Sequence, residues 1–267
     1  MDLQVHWRAL PEFQHGWLVP VLAGYLAWER WGRMAALATT GWWLGPVLVA
    51  LASAPWLLVA ELYKRAVANT PTASFCLSVG CCGFIVALLW LQCGWRIARG
   101  LLFPLLFVFV AVPMPVVVWG PLVQGLQSLI AGLNVETLNL LGIPAERTGN
   151  ILRLPTGQVG VDEACSGVRS LQSSIMAALF IADLVLGRIG PRILFLVAGV
   201  ILAIVGNFGR SLYLALTASR RGVDAVAGVH DAAGWSVFVF TSTATGLLAW
   251  WLVRAEARAR RLAGGTH

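Results

Sequence analysis

The sequence predicts an all-α fold, a polytopic integral-membrane helix bundle of about seven to eight transmembrane helices. Three observations predict it. Hydrophobic residues make up 58% of the 267 residues and charged residues only 12%. The mean hydropathy is +0.78, whereas a soluble globular domain carries about 25% charge. The apolar residues also gather into runs that can cross a hydrocarbon core of about 30 Å, which takes about 20 helical residues.

In chain order the expected spans are 14–29, 40–60, 72–91, 100–119, 169–187, 193–213 and 235–253. The first is short and ends at the charged Glu29-Arg30. The second stops at Glu61, and the third carries Cys76, Cys81 and Cys82. The fourth follows Arg96 and Arg99, and the last three are separated by Arg188, Arg192 and the Arg220-Arg221 pair. An eighth stretch, 121–143, sets Gln124, Gln127, Ser128, Asn134, Glu136 and Asn139 among leucines. It reads as an amphipathic helix at the interface or inside the bundle, not as a lipid-facing span. No internal repeat or soluble domain stands out, so residues 1–267 are expected to form one membrane domain with a cytoplasmic basic tail at about 254–267. The opening residues lack a basic n-region followed by an apolar h-region, so no cleavable signal peptide is expected.

The net charge of +7 comes from single or paired basic residues between apolar runs. Membrane topology accounts for these better than nucleic-acid binding does. With the arginine-rich tail "RAEARARRLAGG" cytoplasmic, Arg188, Arg192, Arg96, Arg99, Arg30 and Arg33 fall on the same side. Arg8, Lys64, Arg65, Arg147, Arg153, Arg220 and Arg221 fall on the other, and the assignment requires that 121–143 not cross. Three polar groups then meet at the extracytoplasmic face: Cys165 before the 169–187 helix, Arg210 near the end of 193–213, and His230 before 235–253. The connection between Gly142 and Cys165, rich in glycine and proline, lies on that side as a lip.

Each group has two readings. Cys165 in "VDEACSGVRSL" stands at a helix start, where free N–H groups favour a thiolate, with Arg169 four residues on. Taken alone it fits a small-residue helix contact equally well, as the other cysteines do. No C-x-x-C pair suggests a metal or redox site, so neither metal nor cofactor is expected. Arg210 and Asn207 share a helix face in "NFGR". Arg210 reads as a snorkelling anchor or as a carbonyl- or carboxylate-binding fork, and Asn207, a turn deeper, gains nothing from snorkelling. His230 in "HDAAGW" reads as a solvated histidine or as a general base and acid, with Asp231 beside it and His6 and His15 as rivals on the same side. Together the groups describe cysteine acyl transfer: Cys165 attacks, His230 moves the proton, Arg210 stabilises negative charge.

These stretches resemble the exosortase and archaeosortase family of membrane transpeptidase-like enzymes. "VDEACSGVRSL" resembles its Cys motif, "NFGR" its Asn-x-x-Arg motif and "HDAAGW" its His motif. "HGWLVPVLAGYLAW" and "FPLLFVFVAVPMP" resemble the flanking helices. The resemblance implies Cys165 as nucleophile, Arg210 as catalytic arginine and His230 as proton shuttle, with Arg169 and Asn207 supporting. It further implies a thiol protease or transpeptidase of the cell (inner or plasma) membrane, working at the periplasmic or exterior face. Its substrates would be tethered proteins ending in a sorting signal: a motif such as Pro-Glu-Pro, a transmembrane helix and a basic tail. The cleaved chain would pass to an unidentified surface acceptor. The competing classes are a transporter or channel lined by Arg210, Asn207 and Glu136, and an assembly subunit with polar interhelical fasteners. Neither gives Cys165 a task.

Overall fold

The computed structural model describes residues 2–39, 42–67, 70–160 and 168–264. Its contacts separate into two compact units, Met1–Trp119 and Gly120–His267. The described chain is a helical membrane bundle with one small sheet.

The first unit holds α1 (Asp2–Ala9), α2 (Val19–Met34), α3 (Leu44–Val67), α4 (Pro71–Cys93) and α5 (Trp95–Phe107). Local chemistry sets several of their ends. Pro20 opens α2 after a 3-10 turn at Pro11–Trp17, where its missing N–H costs nothing. Thr70 caps α4, its Oγ1 accepting the Ala73 N–H at 3.2 Å. On α3 and α4 small residues turn inward and large ones outward. Ala60 and Ala73 are buried while Leu58 and Leu62 face outward, as expected where lipid is the solvent and small residues let backbones approach.

The expected 100–119 span is not one helix. It divides into α5, a 3-10 turn at Val108–Ala111, and the start of α6 (Val116–Leu140). Pro113 and Pro115 explain the break: neither donates an N–H, and Val112, at φ −93° and ψ 122°, is held extended by the proline after it. The 121–143 stretch is correspondingly part of a longer helix. Among the described residues, α3, α4, α6, α8 (Ile189–Arg221) and α9 (Ala225–Arg261 of Ala225–Gly264) are long and apolar enough to cross a membrane, with a shorter apolar helix at Ser170–Val185. In α6, Leu122, Leu129 and Leu133 face outward while Gln127 and Asn134, seven residues apart, are buried. The inward polar face has partners: Asn134 Nδ2 donates to Ser211 Oγ at 2.7 Å and Asn150 Nδ2 to Gln127 Oε1 at 2.7 Å.

In the second unit, α6 leads into three antiparallel strands, β1 (Glu146–Thr148), β2 (Ile151–Leu154) and β3 (Gly157–Gly160), in the order β1-β2-β3. The expected lip is therefore largely a sheet. Gly149, at φ +62°, makes the first hairpin in a region costly for other residues. Alternation along β2 sends Leu152 and Leu154 inward against Ile130, Ala131 and Leu138 of α6 and Ala215 and Ala218 of α8. Thr156 Oγ1 ties the second hairpin to the Ala218 carbonyl at 2.9 Å.

Then come α7 (Val168–Val185), α8 and α9. α7 and α8 form an antiparallel hairpin whose turn is clamped by Arg192, donating to Asp183 Oδ1 at 2.8 Å and to the Leu186 carbonyl at 2.8 Å. The same end gathers Ala178, Ala182, Leu186, Phe195 and Leu252 into a core. There Glu256 of α9 accepts the Gly187 N–H at 3.1 Å.

Candidate active site

The expected nucleophile, Cys165, lies outside the described residues. Of Arg169 the backbone is described, inside the first turn of α7. The other expected residues, Asn207, Arg210 and His230, line one cavity of about 480 Å³ between α7, α8 and α9.

Helix register explains why they meet. An added Cβ on Gly199 would stand 3.3 Å from Ala178 Cβ, so these residues mark one height on the antiparallel α7–α8 pair. From Gly199 to Arg210 along α8 is about 16 Å, and from Ala178 back to Val168 along α7 about 15 Å. The amino-terminal end of α7 thus stands at the height of Arg210 to within a helical turn. On the other side, an added Cβ on Gly206 would stand 3.0 Å from both Val237 Cγ1 and Thr241 Cγ2. That close approach of α8 to α9 carries His230 up beside Arg210.

Arg210 Nη2 and His230 Nε2 are 2.8 Å apart. A guanidinium has only donors, so Arg210 donates and Nε2 accepts. Neutral His230 in this hydrogen bond therefore carries its proton on Nδ1, which faces Asp231 Oδ1 at 3.2 Å. Asp231 is 97% exposed, so this second contact is strongly screened by water and orients the ring weakly. Gly234, one turn after His230, keeps α9 small where the guanidinium lies against it. Asn207 is 3% exposed, and its Nδ2 has no hydrogen-bond partner among the described residues.

His230 does not precede its helix, as the sequence suggested. α9 begins at Ala225, so His230 sits in its second turn and Asp231 follows on the helix surface. Gly222, at φ +88°, ends α8 with its N–H on the Ala218 carbonyl, and α9 starts within a few residues. The rival histidines are engaged inside the first unit: His6 Nε2 lies 3.0 Å from Ser74 Oγ, and His15 Nε2 lies 3.2 Å from the Val110 carbonyl. Sequence reasoning missed Gly206, where α8 approaches α9, and the hydroxyl residues of α7 and α9, Ser173, Ser174, Thr241, Ser242 and Thr245, that line the cavity. The signal of the hydroxyl residues is small residues three or four apart on α7 and α9.

The depth of the site follows from the same helices. Arg192 and Arg210 bracket an apolar stretch of α8 about 27 Å long, close to the thickness of a hydrocarbon core. On α9, exposed Trp235 and exposed Trp250 and Trp251 bracket another, with the Arg254 guanidinium 3.9 Å from the Trp250 ring. Tryptophans of this kind mark the two membrane interfaces. Arg210 and His230 therefore sit at the interface remote from the basic tail. A cation, an imidazole and a buried amide in a cavity at that level suit stabilisation of an oxyanion and proton transfer.

A family model described as transmembrane exosortase matches residues 7–260. No curated protein and no solved structure matches the chain.

Proposed function

The chain belongs to the transmembrane exosortase family, and so is a membrane protein-sorting enzyme; on that premise we propose that it is a cysteine peptidase-transpeptidase acting at the extracytoplasmic face on proteins tethered by a carboxy-terminal sorting signal. Cys165 is the nucleophile, His230 the general base and acid, and Arg210 the group that stabilises the oxyanion. Asn207 and Arg169 support them. The observation that carries the reading is the Arg210–His230 hydrogen bond of 2.8 Å in a cavity walled by α7, whose first residue, Val168, follows Cys165 by three positions.

The chemistry balances on these groups. The Cys165 thiol gives its proton to His230 and Sγ bonds to the scissile carbonyl carbon, whose oxygen takes the negative charge beside Arg210. The carbon–nitrogen bond then breaks, and the leaving amine takes the proton from His230. A nucleophile on the acceptor attacks the thioester, passes its proton through His230 and restores the thiol. The substrate signal in this reading is a short motif of the Pro-Glu-Pro type, one transmembrane helix and a basic tail. That tail obeys the same charge rule as the enzyme's own, and the tether holds the scissile bond at the height of Arg210, which raises its effective concentration.

The test co-expresses such a tethered reporter with wild-type enzyme, Cys165→Ala, Arg210→Ala and His230→Ala, and follows the reporter's size. Processing is expected with wild type and lost in all three variants. Undiminished processing by Cys165→Ala would overturn the nucleophile assignment.

A further inference from the structure

The three helices of the site do not stay together along their length. At the tail end α7 and α9 meet, through Ala182, Leu186 and Leu252 and through the Gly187–Glu256 hydrogen bond. Higher up, α8 keeps contact with each of them separately, with α7 at Gly199 and with α9 at Gly206. Between α7 and α9 the cavity opens, from Ile181 and Gly246 at its base to Ser170 and His230 at its mouth, with Asn207 and Arg210 on its floor. It is a V-shaped cleft, closed below, that reaches about 24 Å along α9. Most of it lies between Trp235 and Trp250 on α9, hence within the hydrocarbon layer.

We propose that this cleft is the docking groove for the substrate's transmembrane helix, which enters sideways from the bilayer so that its flanking scissile segment arrives at Arg210 and His230. The inference rests on the sorting reading above and specifies where and by which face the tether is held.

Size and chemistry choose the occupant. A volume of about 480 Å³ spread over that length is a cross-section of about 20 Å², against roughly 80 Å² for a helix about 10 Å across. The groove therefore seats one helix face and leaves the rest in lipid. That face must carry glycine, alanine or serine, because leucine-sized side chains have no room. The lining agrees: Ser174, Ser242 and Thr245 are the residues that let helices approach closely and bond across an interface. Asn207, buried with Nδ2 unpartnered among the described residues, offers a donor to a hydroxyl or carbonyl of the incoming helix. A lipid acyl chain would leave the Asn207 amide facing hydrocarbon, where an unpaired polar atom is costly.

The experiment uses the full-length enzyme in membranes with a reporter ending in Pro-Glu-Pro, one transmembrane helix with a glycine-alanine-serine face, and a basic tail. Cysteine, close to serine in size, replaces Ser242, or as a control Val239, which is exposed and does not line the cleft; one serine on the reporter's small-residue face is also made cysteine, and the membranes are oxidised to form disulfides. The expected result is an adduct with the reporter helix from position 242 and little from 239. In parallel, Ser242→Leu, which fills the groove, is expected to slow reporter processing about tenfold, as does replacing the reporter's small-residue face by leucine. If wild type cleaves the reporter but position 242 yields no reporter adduct, or only as much as position 239, the groove is refuted and the sorting reading stands. If the adduct forms selectively from position 242 and wild type leaves the reporter intact, docking stands and the catalytic reading falls. Absence of both adduct and cleavage overturns both.

Discussion

Gly206 is the residue on which the geometry of the site depends most sharply, and its replacement gives a graded prediction. A Cβ there would stand 3.0 Å from Val237 Cγ1 and from Thr241 Cγ2, about 0.5 Å inside the separation at which carbon atoms attract best. Both neighbours are β-branched and stiff in a helix, and the Thr241 hydroxyl is bonded to the Val237 carbonyl at 2.8 Å. Relief must then come from α9 moving away as a body. A retreat of about 0.5 Å carries the Arg210–His230 contact from 2.8 Å to about 3.3 Å, past the usual range for such a bond. The flexible arginine follows part of that shift, so Gly206→Ala is expected to slow processing a few-fold. Gly206→Leu needs more than 1 Å and is expected to slow it about 100-fold. Helix propensity works the other way, since alanine gains up to about 1 kcal/mol over glycine. Thermal unfolding in detergent should accordingly show Gly206→Ala no less stable than wild type while reporter processing in membranes falls. Wild-type processing by a folded Gly206→Leu would refute the claim that close α8–α9 packing positions His230.

Arg210→Lys keeps the charge but loses the planar fork, and processing is expected to drop about 10²- to 10³-fold; rates within a few-fold of wild type would show that charge alone suffices. Leu152→Ala empties a fully buried site between the sheet, α6 and α8 and should cost about 2–5 kcal/mol, read as a lower unfolding temperature in detergent. Glu256→Ala removes the acceptor of the Gly187 N–H and should cost about 1–3 kcal/mol. Glu256→Gln, which keeps an acceptor oxygen, should lose less by the same measurement.

Some of this was legible in the sequence for definite reasons. Composition and run length identified a membrane bundle. Because α7, α8 and α9 are successive and antiparallel, counting spans was enough to bring Arg210 and His230 to one end, where they are bonded. For 121–143 periodicity was right only in part: Gln127 and Asn134 are buried with partners, but Gln124, Glu136 and Asn139 are exposed on a helix long and apolar enough to cross a membrane. The failures have physical causes. Apolar content alone ran through Pro113 and Pro115, although proline chemistry divides that segment. The sheet at 146–160 was missed because short strands offer few residues for a period of two, yet "TGNILRLPTG" carries two turn signals around an alternating strand. The early start of α9 depends on packing against α8, which no local propensity states. The cleft could not be found from either wall alone, since small residues on α7 and α9 gain meaning only once the helices diverge.

The hydrogen bond that supports the site also constrains how it works. A general base needs a free lone pair on the imidazole, and in the arrangement described the Nε2 lone pair accepts from Arg210. In the proposed mechanism the same arginine is the cation that must reach the oxyanion. Both requirements are met by one movement: an arriving carbonyl draws the guanidinium toward itself and thereby releases Nε2 to accept the thiol proton. A stray nucleophile or water without a carbonyl to offer leaves the imidazole occupied. The half-buried setting of the pair strengthens the coupling, because a desolvated donor moves only when it has a new acceptor. In that proposed mechanism Arg210 acts twice, first by holding His230 in the Nδ1-protonated form and then by vacating it. On this account Arg210→Ala loses oxyanion stabilisation and, with it, the restraint on the imidazole, so the variant should leave His230 more open to ethoxycarbonylation by diethyl pyrocarbonate than wild type, a readout independent of processing. Equal modification rates in the two proteins would show that the hydrogen bond is not maintained in the resting enzyme.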